Sequence, residues 1–344
     1  MYEVVHMIVT KEDKTMDEKY AQAISSLSCD LRAVLKNVPE EIQKNVREIC
    51  IRSEKPIIFI CKDDYLFLRN DGKLTRNINL PLKLATRQDI KNSIKTMCDN
   101  SVYSYDDEIK NGFLTLKGGH RVGLCGTAVL SNNIVVSVRD VSTLSIRIAR
   151  QIKTAADELF FAIKNKFNGV ILGGAPASGK TTVLREIARK LSLSGKKVSV
   201  VDERNEISGT YEGVAQNDLG FCDILNRYPK ADGLIHAIRT LSPDVIVCDE
   251  IGTEQDILAV RQAVHAGVKL VVSVHAADLN DFSKRRYCKK LLATEAFDML
   301  AMMFGRSEPG RISEIYRVGD GFDKIGRGVA RSAFVDGVGN CHSA

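Results

Sequence analysis

The segment Gly174–Thr181, of sequence GAPASGKT, has the residue types and spacing of a loop that binds phosphate. It matches the pattern G-x-x-x-x-G-K-[ST] in full, follows the apolar segment GVILGG and precedes the amphipathic segment TVLREIARKL. Glycines let the backbone curl so that successive N–H groups point at phosphate oxygens, and the following helix adds the positive end of its dipole. Because the loop has a strand before it and a helix after it, we favour a nucleotide-binding loop over a chance match.

The side chains of this loop predict ATP and Mg²⁺ as ligands. Lys180 is expected to reach the β- and γ-phosphates, and the Thr181 hydroxyl is expected to ligate Mg²⁺. The following helix has an apolar face that would pack it against the sheet. The residues expected to contact the nucleotide are Gly174, Ala175, Pro176, Ala177, Ser178, Gly179, Lys180, Thr181 and Thr182.

A second carboxylate, needed to hold the metal, follows the apolar segment VIVC. Asp249 is predicted to hold Mg²⁺ through its water shell, and the adjacent Glu250 is placed to orient or deprotonate an attacking water. A nucleotide kinase would need an acceptor-binding module as well. The Asp-Glu pair therefore predicts that the phosphate is transferred to water and not to a second substrate. The alternative is that the two residues are solvated acids in a loop.

Two further polar clusters stand at predicted strand ends, where α/β folds place their sites. In VVDERNEI, Asp202 and Glu203 are candidates for the nucleotide site, although a surface-charge role is an equal alternative. His275 ends the strand segment KLVVSVH, which we expect beside the strand of Asp249, so that its imidazole senses the nucleotide. The other histidines are expected to be structural: His6, His120, His236, His265 and His342.

The pattern of strands and helices predicts a mainly parallel α/β core from residue 151 to 320. Its strand candidates are GVILGG, KVSVVD, DVIVCD, KLVVSVH and SEIYRV, most of them continuous apolar runs typical of strands buried on both faces. The pattern in residues 1–150 predicts a smaller α+β domain, with a helix capped by Thr86 and Asp89 and a hairpin that turns at Gly118. The glycine-rich tail, residues 321–344, is expected to be weakly ordered.

Composition places few limits on function. Apolar residues make up 44%, charged residues 27%, and the net charge is +6, as in an ordinary soluble protein without an obligatory nucleic-acid partner. Nine scattered cysteines without a CxxC pair suit reduced thiols in the cytoplasm. The longest apolar run, around VKLVVSVHAA, is shorter than the ~20 residues of a spanning helix, so a membrane role would be peripheral.

The order of these motifs resembles that of the secretion ATPases of type II, type IV pilus and type IV systems. IRTLSPDVIVCDEIG resembles their approach to the metal-binding acid, and SVHAAD resembles their histidine box. A narrower set of segments is similar to the stage III sporulation protein AA family of endospore-forming bacteria: GGHRVGLCGTAV, SIRIAR, VVDERNEISG, QNDLG, SPDVIVCDEIG and AVHAGVKLVVSVHA. Arg204 in the acidic box and the retention of both Asp249 and Glu250 depart from the wider secretion pattern.

The resemblance implies a RecA-like ATPase that assembles as a hexamer and is bound peripherally at the mother-cell side of the membrane around the forespore. In that setting it would energise a channel built with other membrane proteins, and no nucleic acid is expected as a partner. Secretion ATPases complete their site with arginines from the N-terminal domain. Here Arg147 and Arg150 are the candidates, with Arg139 nearby, and a solvated basic strand face is the alternative.

Two other functions remain open from the residues alone. A RecA-like core also suits a nucleic-acid-dependent ATPase, although the chain has no tryptophan and no evident aromatic-basic stacking surface. A nucleotide-gated scaffold without turnover would keep the same loop and bind ATP without releasing phosphate.

Overall fold

The computed structural model describes residues 16–61, 64–306, 308–319 and 321–327. His6 and His342 lie outside these ranges, as does the predicted tail from residue 328 onward. The chain divides into two compact units, the first running to Arg150 and including Tyr211–Gln216, and the second containing the rest. Tyr211–Gln216 falls in the sequence range predicted for the second domain, and its Tyr211 hydroxyl donates to Asp99 at 2.9 Å.

The first unit is an α+β structure whose helices and strands alternate irregularly along the chain. In order, they are α1 Glu18–Ser25, α2 Cys29–Leu35, α3 Glu40–Asn45, β1 Glu48–Arg52, β2 Lys55–Pro56, β3 Ile58–Ile60, β4 Tyr65–Leu68, β5 Leu74–Thr75, β6 Leu84–Ala85, α4 Arg87–Met97, α5 Asp106–Lys110, β7 Phe113–Thr115, β8 Arg121–Ser131 and β9 Ile134–Arg147.

An antiparallel sheet of order β5-β4-β3-β1-β9-β8-β7 organises the described part of this unit. The turn between β7 and β8 contains Gly118 and Gly119, both with positive φ (87° and 77°), as predicted for a glycine turn. The predicted capping box of α4 is present, with Thr86 and Asp89 each bonding the other's backbone N–H. His120 is fully buried, its Nδ1 accepts from Ala149 N at 3.1 Å, and burial lowers its pKa to about 4.

The second unit contains the predicted parallel core. Its elements are α6 Asp157–Ile163, β10 Gly169–Gly174, α7 Lys180–Leu193, β11 Val198–Asp202, β12 Asp223–Asn226, α8 Lys230–Thr240, β13 Val245–Cys248, α9 Glu254–His265, β14 Lys269–His275, α10 Leu279–Lys284, α11 Arg286–Leu292, β15 Met299–Met303, β16 Ile312–Val318 and β17 Phe322–Arg327.

One sheet of order β12-β11-β13-β14-β10-β15-β16-β17 runs through the described part of this unit. The first six strands in this order are parallel neighbours, and β16 and β17 are added antiparallel. Every residue of β10, β11 and β13 is buried, which explains their continuous apolar sequences. The predicted α/β class with a mainly parallel sheet is confirmed, and β14 lies beside β13 as expected.

Three strands of this sheet were not predicted. β12 has only four residues after a long irregular segment, and β15, of sequence MLAMM, lacks the β-branched and aromatic residues that mark strands. The strand β17 occupies the start of the segment expected to be weakly ordered. Its Phe322 packs edge-on against Phe282 and Tyr316, with ring centroids 6.0 and 6.4 Å apart, which anchors it in the apolar core.

Candidate nucleotide-binding site

The glycine-rich loop between β10 and α7 has the backbone shape that its sequence predicts. Ala177 and Gly179 both have positive φ, 63° and 88°, so the chain turns sharply before α7 begins at Lys180. Within the described residues, no side chain caps the first turn of α7. The N–H groups of that turn, together with the dipole of a 14-residue helix, therefore remain available to an anion.

Close contacts explain why glycine is required at both ends of the loop. A Cβ at Gly179 would lie 2.2 Å from the Gly310 nitrogen, and one at Gly174 would lie 2.5 Å from Ser178 Oγ. Gly310 N in turn donates to the Ser178 carbonyl at 2.8 Å, and Arg306 Nε donates to the Pro176 carbonyl at 3.2 Å. The loop between β15 and β16 thus supports the glycine-rich loop by donating hydrogen bonds to two of its backbone carbonyls.

The Lys180 side chain folds back over the glycine-rich loop. Its ammonium donates to the carbonyls of Gly174 and Ala175 at 3.0 and 3.1 Å and lies 3.3 Å from His275 Nδ1. The residue is only 6% exposed, and burial lowers its pKa although Asp249 and Glu250 oppose the shift. A buried cation whose neighbours are mostly neutral is well suited to bind phosphate oxygens.

The strand ends bring the two predicted metal ligands together. Thr181 Oγ1 donates to Asp249 Oδ2 at 2.6 Å, joining the start of α7 to the residue after β13. Ser273 Oγ donates to the other Asp249 oxygen and accepts from Glu250 N, the latter at 2.9 Å. P-loop proteins hold Mg²⁺ between phosphate oxygens, a hydroxyl of the loop and a carboxylate from a second strand. The Thr181 hydroxyl and the Asp249 carboxylate match the two protein groups.

Glu250 and His275 form a hydrogen-bonded pair at the same edge of the sheet. His275 Nε2 lies 2.9 Å from Glu250 Oε1, and Arg204 Nη1 lies 2.7 Å from the other oxygen, Oε2. Because the Lys180 ammonium can only donate, its contact with His275 Nδ1 favours the tautomer with the ring proton on Nε2, facing the carboxylate. Glu250 itself has a positive φ of 55°, which a glutamate adopts only where its surroundings enforce it.

The acidic segment after β11 uses its two acids differently. Asp202 is 3% exposed, and its carboxylate accepts from Glu206 N, Ser208 N and Ser208 Oγ at 2.7 to 2.9 Å. The alternative of a surface charge is therefore wrong for Asp202. Glu203 is exposed and pairs with Lys230 at 3.2 Å, and both line a cavity with Asp249 and Glu250.

The predicted arginines lie in the first unit. Arg150 makes a two-pronged contact with the Asp17 carboxylate at 3.1 and 3.2 Å and donates to the Gln43 carbonyl at 2.6 Å. Arg147 is 73% exposed, with its Nε 3.7 Å from Glu48. In this structure the guanidinium of Arg150 is committed to its own unit, and Arg147 is the more accessible candidate.

Two residues near the catalytic candidates were missed by sequence reasoning. Ser273 precedes His275 by two positions, and alternate residues of a strand share a face, so this position could have been found. Lys230 Nζ donates to the Glu250 carbonyl at 2.9 Å from the first turn of α8, and no sequence motif marks it. Both residues fix the chain around Glu250.

The fold and this group of side chains define a RecA-like P-loop core. The Yersinia pseudotuberculosis ATPase DotB shares this fold, with a TM-score of 0.52 at 14% identity over 76% of this chain and 72% of that one. At that identity the likeness concerns the fold alone.

Sequence comparison identifies the family. The family described as Sporulation stage III, protein AA matches residues 17–321, and the chain belongs to it. Stage III sporulation protein AA of Bacillus subtilis (strain 168) is 34% identical over 90% of this chain and 96% of its own length. Protein SEEDLING PLASTID DEVELOPMENT 1 of Arabidopsis thaliana is 32% identical over 41% of this chain but only 21% of its own.

Proposed function

We propose that the chain binds ATP with Mg²⁺ and hydrolyses it as a motor of the secretion-ATPase type. The observation that carries the proposal is the 2.6 Å hydrogen bond between Thr181 and Asp249, because it joins the glycine-rich loop to the acid after β13. These are the two groups that hold the metal in a P-loop hydrolase, the hydroxyl directly and the carboxylate through the water shell of the metal, and two separate elements supply them.

Each side chain then has a stated task. The Lys180 ammonium exchanges its carbonyl and imidazole contacts for the β- and γ-phosphate oxygens, and the first-turn N–H groups of α7 bind the same phosphates. Thr181, directly, and Asp249, through a water shell, would hold Mg²⁺, which would supply positive charge at the phosphates. Glu250 accepts the proton of the attacking water, and His275 keeps the glutamate oriented through its Nε2 proton.

The family membership supports a role in endospore formation. We propose that the protein works as a hexamer against membrane proteins of a channel, peripherally at the mother-cell side of the forespore-surrounding membrane, with Arg147 or Arg150 completing the site. None of the helices in the described ranges is long and apolar enough to cross a bilayer.

The test is phosphate release by the purified full chain with Mg-ATP. Glu250→Gln should lower turnover by about 10²- to 10⁴-fold, the contribution of a general base, while Mg-ATP affinity is retained. Glu254→Gln is the matched control, because this exposed glutamate at the start of α9 pairs with Lys290 at the surface. Normal turnover in Glu250→Gln would refute the assignment of the base.

The same assay separates the alternative functions. Stimulation by DNA or RNA with a steep salt dependence would favour a nucleic-acid motor. Stimulation by lipid vesicles or by the cytoplasmic parts of membrane partners would favour the secretion type. Nucleotide binding without phosphate release under any of these conditions would favour a scaffold.

A further inference from the structure

Arg204 is the basic residue that departs from the secretion-ATPase pattern, and it contacts the carboxylate proposed to activate water. Its Nη1 lies 2.7 Å from Glu250 Oε2, while the second oxygen of Glu250 lies 2.9 Å from His275 Nε2. Both oxygens of the proposed base therefore already have a donor. A water molecule that is to lose its proton needs one of these oxygens as its acceptor.

Of the two donors, Arg204 is the one whose side chain is free to move away. His275 is the last residue of β14, its side chain is 40% exposed, and its ring is also contacted through Nδ1 by Lys180 at 3.3 Å. The Arg204 side chain is 59% exposed and extends from the loop after β11. A partly exposed ion pair of this kind is weak, so another anion can compete for the guanidinium.

The backbone beneath Arg204 is fixed, so that release requires only a change of side-chain rotamer. Asp202 accepts from the N–H groups of Glu206 and Ser208, and Asn205 Oδ1 accepts from Thr210 N at 2.6 Å. The guanidinium therefore extends from a hydrogen-bonded backbone, and it lines a cavity together with Lys230 and Asp249. The anion nearest to this cavity in the proposed function is the nucleotide triphosphate.

We propose that Arg204 is a latch on Glu250: its ion pair holds the carboxylate, and an anionic ligand that draws the guanidinium away releases it. The proposal rests on the proposed function and concerns the regulation of that same site. Arg204 acts through Glu250 and is a positioning residue. Removing the Arg204 guanidinium should leave a Glu250 oxygen available to water before any anion binds. This should raise kcat without tightening nucleotide binding.

The experiment compares the full chain with Arg204→Gln, Arg204→Lys and Arg261→Gln, the last a control at an exposed arginine on α9. Steady-state phosphate release and direct Mg-ADP binding by calorimetry are measured for each. Arg204→Gln should raise kcat about 1.4-fold to fivefold, the range expected for loss of a partly exposed ion pair, with the dissociation constant changed less than twofold. Arg204→Lys should restore most of the restraint, and Arg261→Gln should match the unchanged chain.

A second readout does not depend on turnover. A crystal structure with Mg²⁺ and a non-hydrolysable ATP analogue should show Arg204 more than about 4 Å from Glu250, beyond salt-bridge distance. An intact ion pair in that structure, or a kcat for Arg204→Gln that is unchanged or lower, would overturn the latch while leaving the proposed function in place. Nucleotide binding without phosphate release by any of the proteins would overturn the proposed function, and the latch with it.

Discussion

Two loops of the second unit begin at the same edge of the sheet but differ in how their backbone N–H groups are hydrogen-bonded. The loop after β10 runs from Ala175 to Gly179, and the loop after β11 contains Glu203 to Thr210. Both follow fully buried parallel strands, at the carboxyl ends where α/β proteins bind ligands. Position in the fold alone would predict the same role for both.

The difference lies in what satisfies the backbone N–H groups. In the loop after β11, the Asp202 carboxylate accepts from Glu206 N and Ser208 N, so the loop binds its own anion. In the loop after β10, no described side chain caps the first turn of α7, and Ser178 Oγ is buried without a partner among the described residues. The N–H groups of one loop bond a side chain of that loop, and those at the start of α7 have no cap among the described side chains, so we propose that they bind an external anion.

This contrast shows why the two acids predicted together in VVDERNEI do not act alike. Asp202 is required by the loop itself, and we expect it to affect ligand binding only through the loop's shape. Glu203 stands in the cavity with Lys230 and remains a candidate contact for the nucleotide.

The largest expected effect is loss of nucleotide binding in Lys180→Ala. Removing the ammonium deletes charge-assisted bonds to phosphate worth about 1.5–3 kcal/mol each, so affinity for Mg-ADP should fall by at least about tenfold to 100-fold. Calorimetric titration measures this change. Lys190→Ala is the control, because this lysine lies on the same helix and pairs with Asp157 at 2.7 Å. Equal affinities in the two variants would show that the loop after β10 is not the anion site.

An intermediate effect is expected from Thr181→Val, which removes the hydroxyl that donates to Asp249. Because this hydroxyl is a proposed Mg²⁺ ligand, the gain in nucleotide affinity on adding Mg²⁺ should fall severalfold. Binding measured without the metal should change little. Thr181→Ser keeps the hydroxyl and should behave as the unchanged chain. A valine variant with full Mg²⁺ dependence would remove Thr181 from the metal site.

The smallest expected effect on binding comes from Asp202→Asn. The amide leaves one buried N–H of the loop without an acceptor, which should lower the free energy of unfolding by about 1–3 kcal/mol. Affinity for Mg-ADP should change less than about threefold. Denaturant titration and calorimetry measure the two quantities, and Glu203→Gln in the same loop should leave stability nearly unchanged. A large loss of affinity at unchanged stability would make Asp202 a direct ligand.

Much of the fold and the shape of the glycine-rich loop could be predicted because their causes are local in sequence. Continuous apolar runs mark buried parallel strands, and glycine spacing marks the turn before α7. The methionine-rich strand β15 and the four-residue strand β12 carry no such local pattern. The network around Glu250 also depends on residues distant in sequence, Arg204 and Ser273 among them, which only the sheet order brings together.

The most direct test of the central claim is a crystal structure of the full chain with Mg²⁺ and a non-hydrolysable ATP analogue. We predict that the triphosphate lies in the loop Gly174–Thr181, with the Mg²⁺ ion bound by Thr181 and facing Asp249. A loop without phosphate at saturating nucleotide, or an Asp249 carboxylate directed away from the metal ion, would contradict the proposed nucleotide site.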